Sequence, residues 1–344
     1  MQKFTLIVGI DISKATLHVS YQHKEAKAVY LQLDNQLQAI EGFLQQLLAT
    51  EPDASRVLVC CEHTGTYGSK LALGLQHTGL TLWMVHPLVM RHASADLNRY
   101  KTDKADAAKI RSFAHTHQAS AVCFHHPTAQ AHQLRQLRQA RKQLVGLRQQ
   151  LTNMMADNTQ KAQPLDLVGT VFQDMKAHLT EAVRQFEAEI RRLIGSEASL
   201  KRMYTVLLSI PGIGPVTAVH LLAITDCFNR FPSHKALACF VGTAPFPNES
   251  GSSKKPKPRV SKKAYQPLKA DLHQGAVSVT RKGLFFHDFY QHLKEQKQHH
   301  LSIINRIINQ MIKLAFTLVQ KDQLFDKKTF LSNKKSPGFL LDMS

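Results

Sequence analysis

Hydrophobic positions in the first third of the chain follow two different periods. Phe4 to Asp11 (FTLIVGID), Thr16 to Tyr21 (TLHVSY) and Ala28 to Leu33 (AVYLQL) are short β-rich runs separated by turn-length gaps, which predicts a three-stranded meander. From Leu37 to Leu48 the spacing becomes helical, with Leu37, Ile40, Phe43, Leu44, Leu47 and Leu48 on one face after an Asp34-Asn35 start. Arg56 to Cys61 (RVLVCC) is an apolar run with no alternation, as a central strand covered on both faces should be. A helix from about Thr66, a strand from Leu80 to Val85 and one or two helices between Pro87 and about His117 complete the order β-β-β-α-β-α-β-α. That order is the ribonuclease-H-like topology, although a generic mixed α/β sandwich has nearly the same periodicities.

Strand signals then stop. Between residues 126 and 200, Leu137, Leu144 and Leu151 recur every seven positions, with Ala140, Leu147 and Met154 at the offset positions. This heptad seam predicts a long helix, either in a coiled coil or in an intramolecular hairpin with the periodic helix near Thr180 to Ile194. Its Arg135, Arg138, Arg141, Lys142 and Arg148 are either solvated or line a nucleic-acid surface. From about residue 201 a second globular unit begins, where two apolar helical patterns flank Pro211-Gly212-Ile213-Gly214. The pattern is a helix-hairpin-helix candidate in which Gly212 and Gly214 would present backbone N–H groups to a phosphate; a purely structural helical turn fits the same residues. The last helix is expected at Ile303 to Leu318, and the composition after about Asp326 is that of a disordered end.

Charge sharpens this division. The 344 residues carry a net charge of +19, but residues 1 to 125 hold 12 Lys+Arg against 10 Asp+Glu, while the remainder holds 32 against 15. A polyanionic partner for the second part follows. The segment Ser250 to Lys269 concentrates seven of these cations, Lys254, Lys255, Lys257, Arg259, Lys262, Lys263 and Lys269, with no acid among them. No run approaches the roughly 18 apolar residues of a membrane span. The apolar N-terminal run ends at Asp11 without a cleavage site, so a cytoplasmic protein is expected. Five cysteines without a C-x-x-C pair argue against a disulfide framework or zinc ribbon, and the 19 histidines lack zinc spacing and read as solvated or core residues.

Four carboxylates stand out by position. Asp11 ends the first strand and Glu62 ends the central one; in a ribonuclease-H-like sheet these strands are neighbours. Asp103 and Asp106 are three apart, on one face of a helix. Four negative charges brought together repel one another unless a cation compensates them, and hard oxygen ligands select Mg²⁺ or Mn²⁺. Such a site suits phosphodiester chemistry.

GIDISK, CEHTGTYG, the Asp-x-x-Asp of KTDKADAAKI, SIPGIGPVTA, FVGTAPFPNESGSS and RVSKK followed by QPLKADLHQGA resemble, in order and spacing, the motifs of the DEDD transposases and recombinases. That family includes the Piv-type DNA invertases and the insertion-sequence "one-ten" transposases. The resemblance implies an α/β plus all-α architecture: a RuvC-like catalytic domain (1–124), a helical coiled-coil connector (125–200), a mainly helical transposase domain with the helix-hairpin-helix (201–326) and a tail (327–344). It implies that Asp11, Glu62, Asp103 and Asp106 hold divalent metal and that Ser250, the serine preceding a glycine, attacks DNA to form a covalent protein–DNA intermediate. Donor and target DNA, a structured noncoding guide RNA and assembly into a dimer or tetramer in a bacterial, nucleoid-associated setting are implied as well. A Piv-like invertase without RNA, a hydrolytic RuvC-like junction nuclease that does not need Ser250 and a non-catalytic architectural DNA-binding protein remain alternatives. The chain departs from the family at Ala264, where glycine is usual, and in lacking the arginine pair that often follows.

Overall fold

The computed structural model describes residues 4–93, 102–246, 259–260 and 264–328, and the chain divides into two units at His126. In the first unit, β1 (Leu6–Ile12) and β2 (Thr16–His23) form a hairpin closed by Ser13, whose N–H and hydroxyl both donate to the Thr16 carbonyl at 2.9 Å. This turn sets an antiparallel register in which Asp11 faces His18. Next, β3 (Val29–Asp34) pairs antiparallel with β2. The chain then crosses through α1 (Leu37–Thr50) to β4 (Val57–Glu62), parallel to β1, and through α2 (Ser69–Leu75) to β5 (Thr81–Val85), parallel to β4. The sheet order is β3-β2-β1-β4-β5, with antiparallel strands first and parallel crossovers after, which is the ribonuclease-H-like arrangement. Two further helices follow, α3 (Pro87–Ala93) and α4 (Asp103–His117).

Strand alternation assigns the two faces of the sheet. Leu6, Val8, Ile10, Val57, Val59 and Cys61 bury against α1 and α2, whereas Ile7, Leu58, Cys60, Trp83 and Val85 bury with Ile110 and Ala114 of α4. The expected Asp34-Asn35 start of α1 is corrected: Gln36 occupies the cap position and makes no side-chain cap bond. The Asn35 amide is taken up elsewhere, donating to the carbonyls of Ser13 at 2.9 Å and Tyr67 at 3.1 Å, so it ties the hairpin turn to the loop after β4.

In the second unit, α5 (Ala129–Thr159) and α6 (Asp166–Gly195) form an antiparallel hairpin, the intramolecular alternative for the heptad helix. Leu151 of the seam is buried, while Leu147 and Met154 at the offset positions remain exposed. The base of the hairpin contributes Leu134, Ile190, Leu193 and Ile194 to one core with α7 (Ala198–Ser209), α8 (Pro215–Thr225) and α9 (His234–Val241). Helix α8 is buried from Thr217 through Thr225 and forms the centre of that core. Two-residue strands β6 (Pro245–Phe246) and β7 (Arg259–Val260) pair antiparallel. Helices α10 (Gln266–Ser278), α11 (His287–Glu295) and α12 (His300–Lys321) complete the unit, and α12 extends the expected last helix by about one turn at each end. The tail expected to be disordered lies, beyond residue 328, outside the described residues.

Candidate active site

Helix α4 carries the acidic site because β1 lets it come close. A Cβ built on Gly9 would lie 2.2 Å from the Arg111 nitrogen and 2.5 Å from the Ala107 carbonyl oxygen, so only glycine admits the helix backbone at this distance. Asp11 is two residues further along β1 and therefore on the same face, under the first turn of α4 where Asp103 and Asp106 stand. Glu62 follows Cys60 on that same face of β4, and the last β1–β4 pair is Ile10 with Cys61, so Asp11 and Glu62 are the next residue on each of two neighbouring parallel strands. Strand register and helix docking thus bring the four sequence-predicted carboxylates to one end of the sheet.

The Asp11 carboxyl is pushed above its ordinary value, first by burial and then by the Asp106 and Asp103 carboxylates, with His18 and the Ile12 N–H pulling the other way. Two of the other acids are held by local partners. Asp103 Oδ2 lies 3.2 Å from His18 Nε2, and Asp106 Oδ1 lies 3.7 Å from Lys109. Thr102 caps α4 through its side chain, and the positive end of the helix faces the cluster. Among the described residues, no three His, Cys, Asp or Glu side chains are drawn together as a formed metal centre. The donors themselves are nevertheless carboxylate oxygens, the ligand type of Mg²⁺ or Mn²⁺, and the unfavourable environment of the Asp11 anion is what a bound cation would relieve.

Sequence reasoning missed His18 and Tyr30. His18 is almost wholly buried and bridges the Asp103 carboxylate to the Tyr30 hydroxyl, 2.7 Å from its Nδ1. Lys104 lies over the Tyr30 ring at 5.1 Å. The available signal was the alternation of polar and apolar positions along TLHVSYQ in β2, which places His18 opposite Asp11 once the Ser13 turn fixes the register.

In the second unit, the helix-hairpin-helix candidate forms as α7, the turn 210–214 and α8. Gly212 has φ +89°, and a Cβ on Gly275 of α10 would stand 2.1 Å from the Gly212 carbonyl oxygen, so this turn is packed backbone to backbone. Gly214 is open to solvent and begins α8 without a side-chain cap, which leaves first-turn N–H groups available. A cavity of about 790 Å³ lies along the turn, with Arg138, Arg141 and Lys142 among its walls. Arg138 is paired with Asp271 at 2.9 Å and Arg141 with Glu187 at 2.6 Å, so part of the expected basic helix face is tied into the fold. Asp271 also accepts from Nδ1 of the fully buried His220 at 2.6 Å.

Ser250, Lys254, Lys255, Lys257, Lys262 and Lys263 lie outside the described residues, and of Arg259 only the backbone, in β7, is described. The β6–β7 pairing holds residues 246 and 259, the two ends of the Ser250 segment, opposite each other. Ala264, where the family usually has glycine, directly follows the undescribed residues 261–263.

Residues 8–163 match a family model of the DEDD type described as "Transposase", and residues 204–291 match the model "Transposase IS116/IS110/IS902 family". The pilin gene-inverting protein of Moraxella bovis is 24% identical over 328 residues, covering 93% of this chain and 98% of that protein; its Moraxella lacunata counterpart gives the same figures. A Thermus thermophilus RuvC structure is 14% identical, covering 35% of this chain and 99% of that one, with a TM-score of 0.26. Among the described residues, no helix is long and apolar enough to cross a membrane.

Proposed function

The chain belongs to the DEDD transposase and recombinase family, and on that premise we propose that it is a metal-dependent recombinase that cuts and rejoins cytoplasmic, nucleoid DNA through a covalent serine intermediate. The observation that carries this reading is that Asp11 and Glu62 stand at the ends of neighbouring parallel strands of a ribonuclease-H-like sheet, while Asp103 and Asp106 lie in the first turn of the helix seated on Gly9. These four carboxylates would hold Mg²⁺ or Mn²⁺, which when bound supplies Lewis-acid activation of a phosphodiester and of its attacking hydroxyl. His18, backed by Tyr30, would hold Asp103 in a fixed rotamer beside that site. The Ser250 hydroxyl attacks phosphorus; a P–O bond to serine forms, the bond to the departing sugar oxygen breaks, and the proton passes to that oxygen. The ester keeps the strand's energy for rejoining.

DNA on both donor and target sides is the partner that the charge of the second unit supports. Lys254, Lys255, Lys257, Arg259, Lys262 and Lys263 would meet phosphates near Ser250, and the Gly212–Gly214 turn would offer N–H groups to the backbone. A structured noncoding guide RNA selecting the DNA is part of the proposal, as the family resemblance implies. The names of the Moraxella relatives favour inversion over transposition as the outcome. Self-association into a dimer or tetramer is supported by the open half of the heptad seam, Leu147 and Met154, together with exposed Leu167, Val171 and Met175 on α6.

Junction PCR on cells carrying the gene with its native flanks tests the reading. Wild type should give recombined junctions, and Asp11→Ala and Ser250→Ala should give none. Junctions that persist in Ser250→Ala would remove the serine from the mechanism, and junctions that persist in Asp11→Ala would remove the carboxylates.

A further inference from the structure

Further along α4 from the carboxylates, the first unit holds a separate cavity of about 310 Å³ whose walls include Thr5, Gln22, Lys24, Arg111, Ser112 and Thr116, and no carboxylate. Arg111 is its central group. The guanidinium donates to Gln22 Oε1 at 2.7 Å, while its Nε is buried without a partner. Elsewhere Arg138, Arg141, Arg192 and Arg202 each meet a carboxylate, and among the described residues Arg111 meets none. Burial alone acts on it, lowering its affinity for its proton. A partly buried guanidinium with no counter-charge is an unfavourable arrangement that an anion corrects.

The surrounding groups fit an oxyanion. Lys24 is held at the cavity by an uncommon left-handed backbone, φ +50°, and by its N–H donating to the Thr5 carbonyl at 2.7 Å. Because the Gln22 carbonyl oxygen accepts from Arg111, its NH₂ is left as a donor. The Ser112 hydroxyl forms no hydrogen bond among the described residues. Guanidinium, ammonium, amide and hydroxyl donors around a polar cavity match the several oxygens of a phosphate better than the two of a carboxylate.

We propose that the cavity formed by Arg111, Lys24, Gln22 and Ser112 is a phosphate-binding site, distinct from the carboxylate cluster and carried on the same helix. Arg111 follows Asp106 by five residues and Asp103 by eight, which is about 8 and 12 Å along the helix axis. A nucleic-acid strand offers a phosphate about every 3.4 Å of its axis, so a strand crossing the carboxylates and following α4 would bring one to the cavity a few nucleotides from the reacting bond. A free phosphate or nucleotide has the same chemistry. The strand source rests on the DNA reaction proposed above; the site itself does not.

Trp83, the sole tryptophan, lies in one core cluster with the cavity-lining residues Phe4 and Ile7, so its emission reports on this unit and not on the basic second unit. Full-length wild type, Lys24→Gln and Arg111→Gln are titrated with inorganic phosphate at constant ionic strength, with retention measured in parallel by equilibrium dialysis. Lys24 is exposed, so its variant keeps the fold even where Arg111→Gln does not. Wild type should saturate, and each variant should bind about tenfold more weakly, the loss expected for one charge-assisted contact. In a second arm, a fluorescein-labelled single-stranded DNA is titrated at several salt concentrations. A salt slope smaller by about one for each removed cation assigns the site to the strand. An unchanged slope beside weakened phosphate binding assigns it to a free phosphate. Emission and dialysis identical in wild type and both folded variants would overturn the site.

Discussion

Among the described residues His18, His23 and His220 lie against carboxylates, and for His18 and His220 the surroundings decide what each can do. His18 meets an Asp103 whose side chain is 67% exposed, at the rim of the candidate active site. His220 is fully buried in α8, with Asp271 at its Nδ1, the Tyr265 ring beside it, and Arg138 and Lys142 near enough to repel an added proton. Burial holds the His220 imidazole below its ordinary pKa, outweighing the opposing pull of Asp271. Burial also pushes Asp271 up, but the hydrogen bonds from His220 and Arg138 outweigh it and leave that carboxyl below its ordinary value. The unfolded chain therefore takes up a proton on His220 more readily than the folded one does. Stability from this residue is complete above the unfolded value of about 6.5 and declines as pH falls from there toward the lower folded value. Asp271 acts in the same direction further down, its contribution being lost as pH falls through its lowered folded pKa. Urea unfolding at pH 7.5 and pH 5.5 is expected to show a smaller loss of stability in His220→Asn than in wild type, since asparagine keeps a donor for Asp271 and does not titrate. An equal loss in both proteins would place the acid sensitivity elsewhere.

At the scale of elements, the seat of α4 on β1 links stability to the site. In Gly9→Ala the new methyl would meet backbone at 2.2 and 2.5 Å, which no rotamer can relieve, so the helix must move off the strand. A cost of about 1–3 kcal/mol or more is expected, together with loss of activity as Asp103 and Asp106 leave Asp11. Gly42, exposed in α1 with nothing within 4 Å of its Cβ position, is the control: Gly42→Ala should gain about 0.5–1 kcal/mol and leave activity intact. Thermal melts of the two variants check the pair, and a Gly9→Ala protein as stable and active as wild type would contradict the tight seat. Most of this frame was legible in the chain, because strand runs of period two and helical runs of period 3.6 alternate cleanly from Phe4 to His117. The pairing of Asp11 with Glu62 followed from strand order. The role of His18 was not legible, since it depends on where the Ser13 turn sets the register. Nor did the heptad of α5 choose its partner, for Leu137, Leu144 and Leu151 suit α6 of the same chain as well as a second copy. The close approach of Gly212 to Gly275 joins residues far apart in sequence, and no local pattern announces it.

For the whole molecule, the division of charge follows the division of structure. The unit with the carboxylates is nearly neutral, while the unit with the basic segment and Ser250 carries almost all of the +19. On the proposed mechanism, nucleic acid would be captured mainly by the second unit and cut by groups contributed from both. A site divided in this way can be completed within one chain or between chains, and the exposed apolar positions on α5 and α6 give self-association a surface to use. Asp11→Ala and Ser250→Ala proteins should each be inactive alone. Co-expressed, they should restore recombined junctions if the carboxylates of one protomer serve the serine of another, because a mixed assembly then contains intact sites. Sites built within a single chain would leave every protomer of the mixture defective, and junctions would stay absent even where affinity-tagged copies of one variant retain the other. The comparison thus separates shared from self-contained sites whatever the sequences of the DNA ends, and co-retention of the tagged copies guards against reading a failure to assemble as a failure to complement.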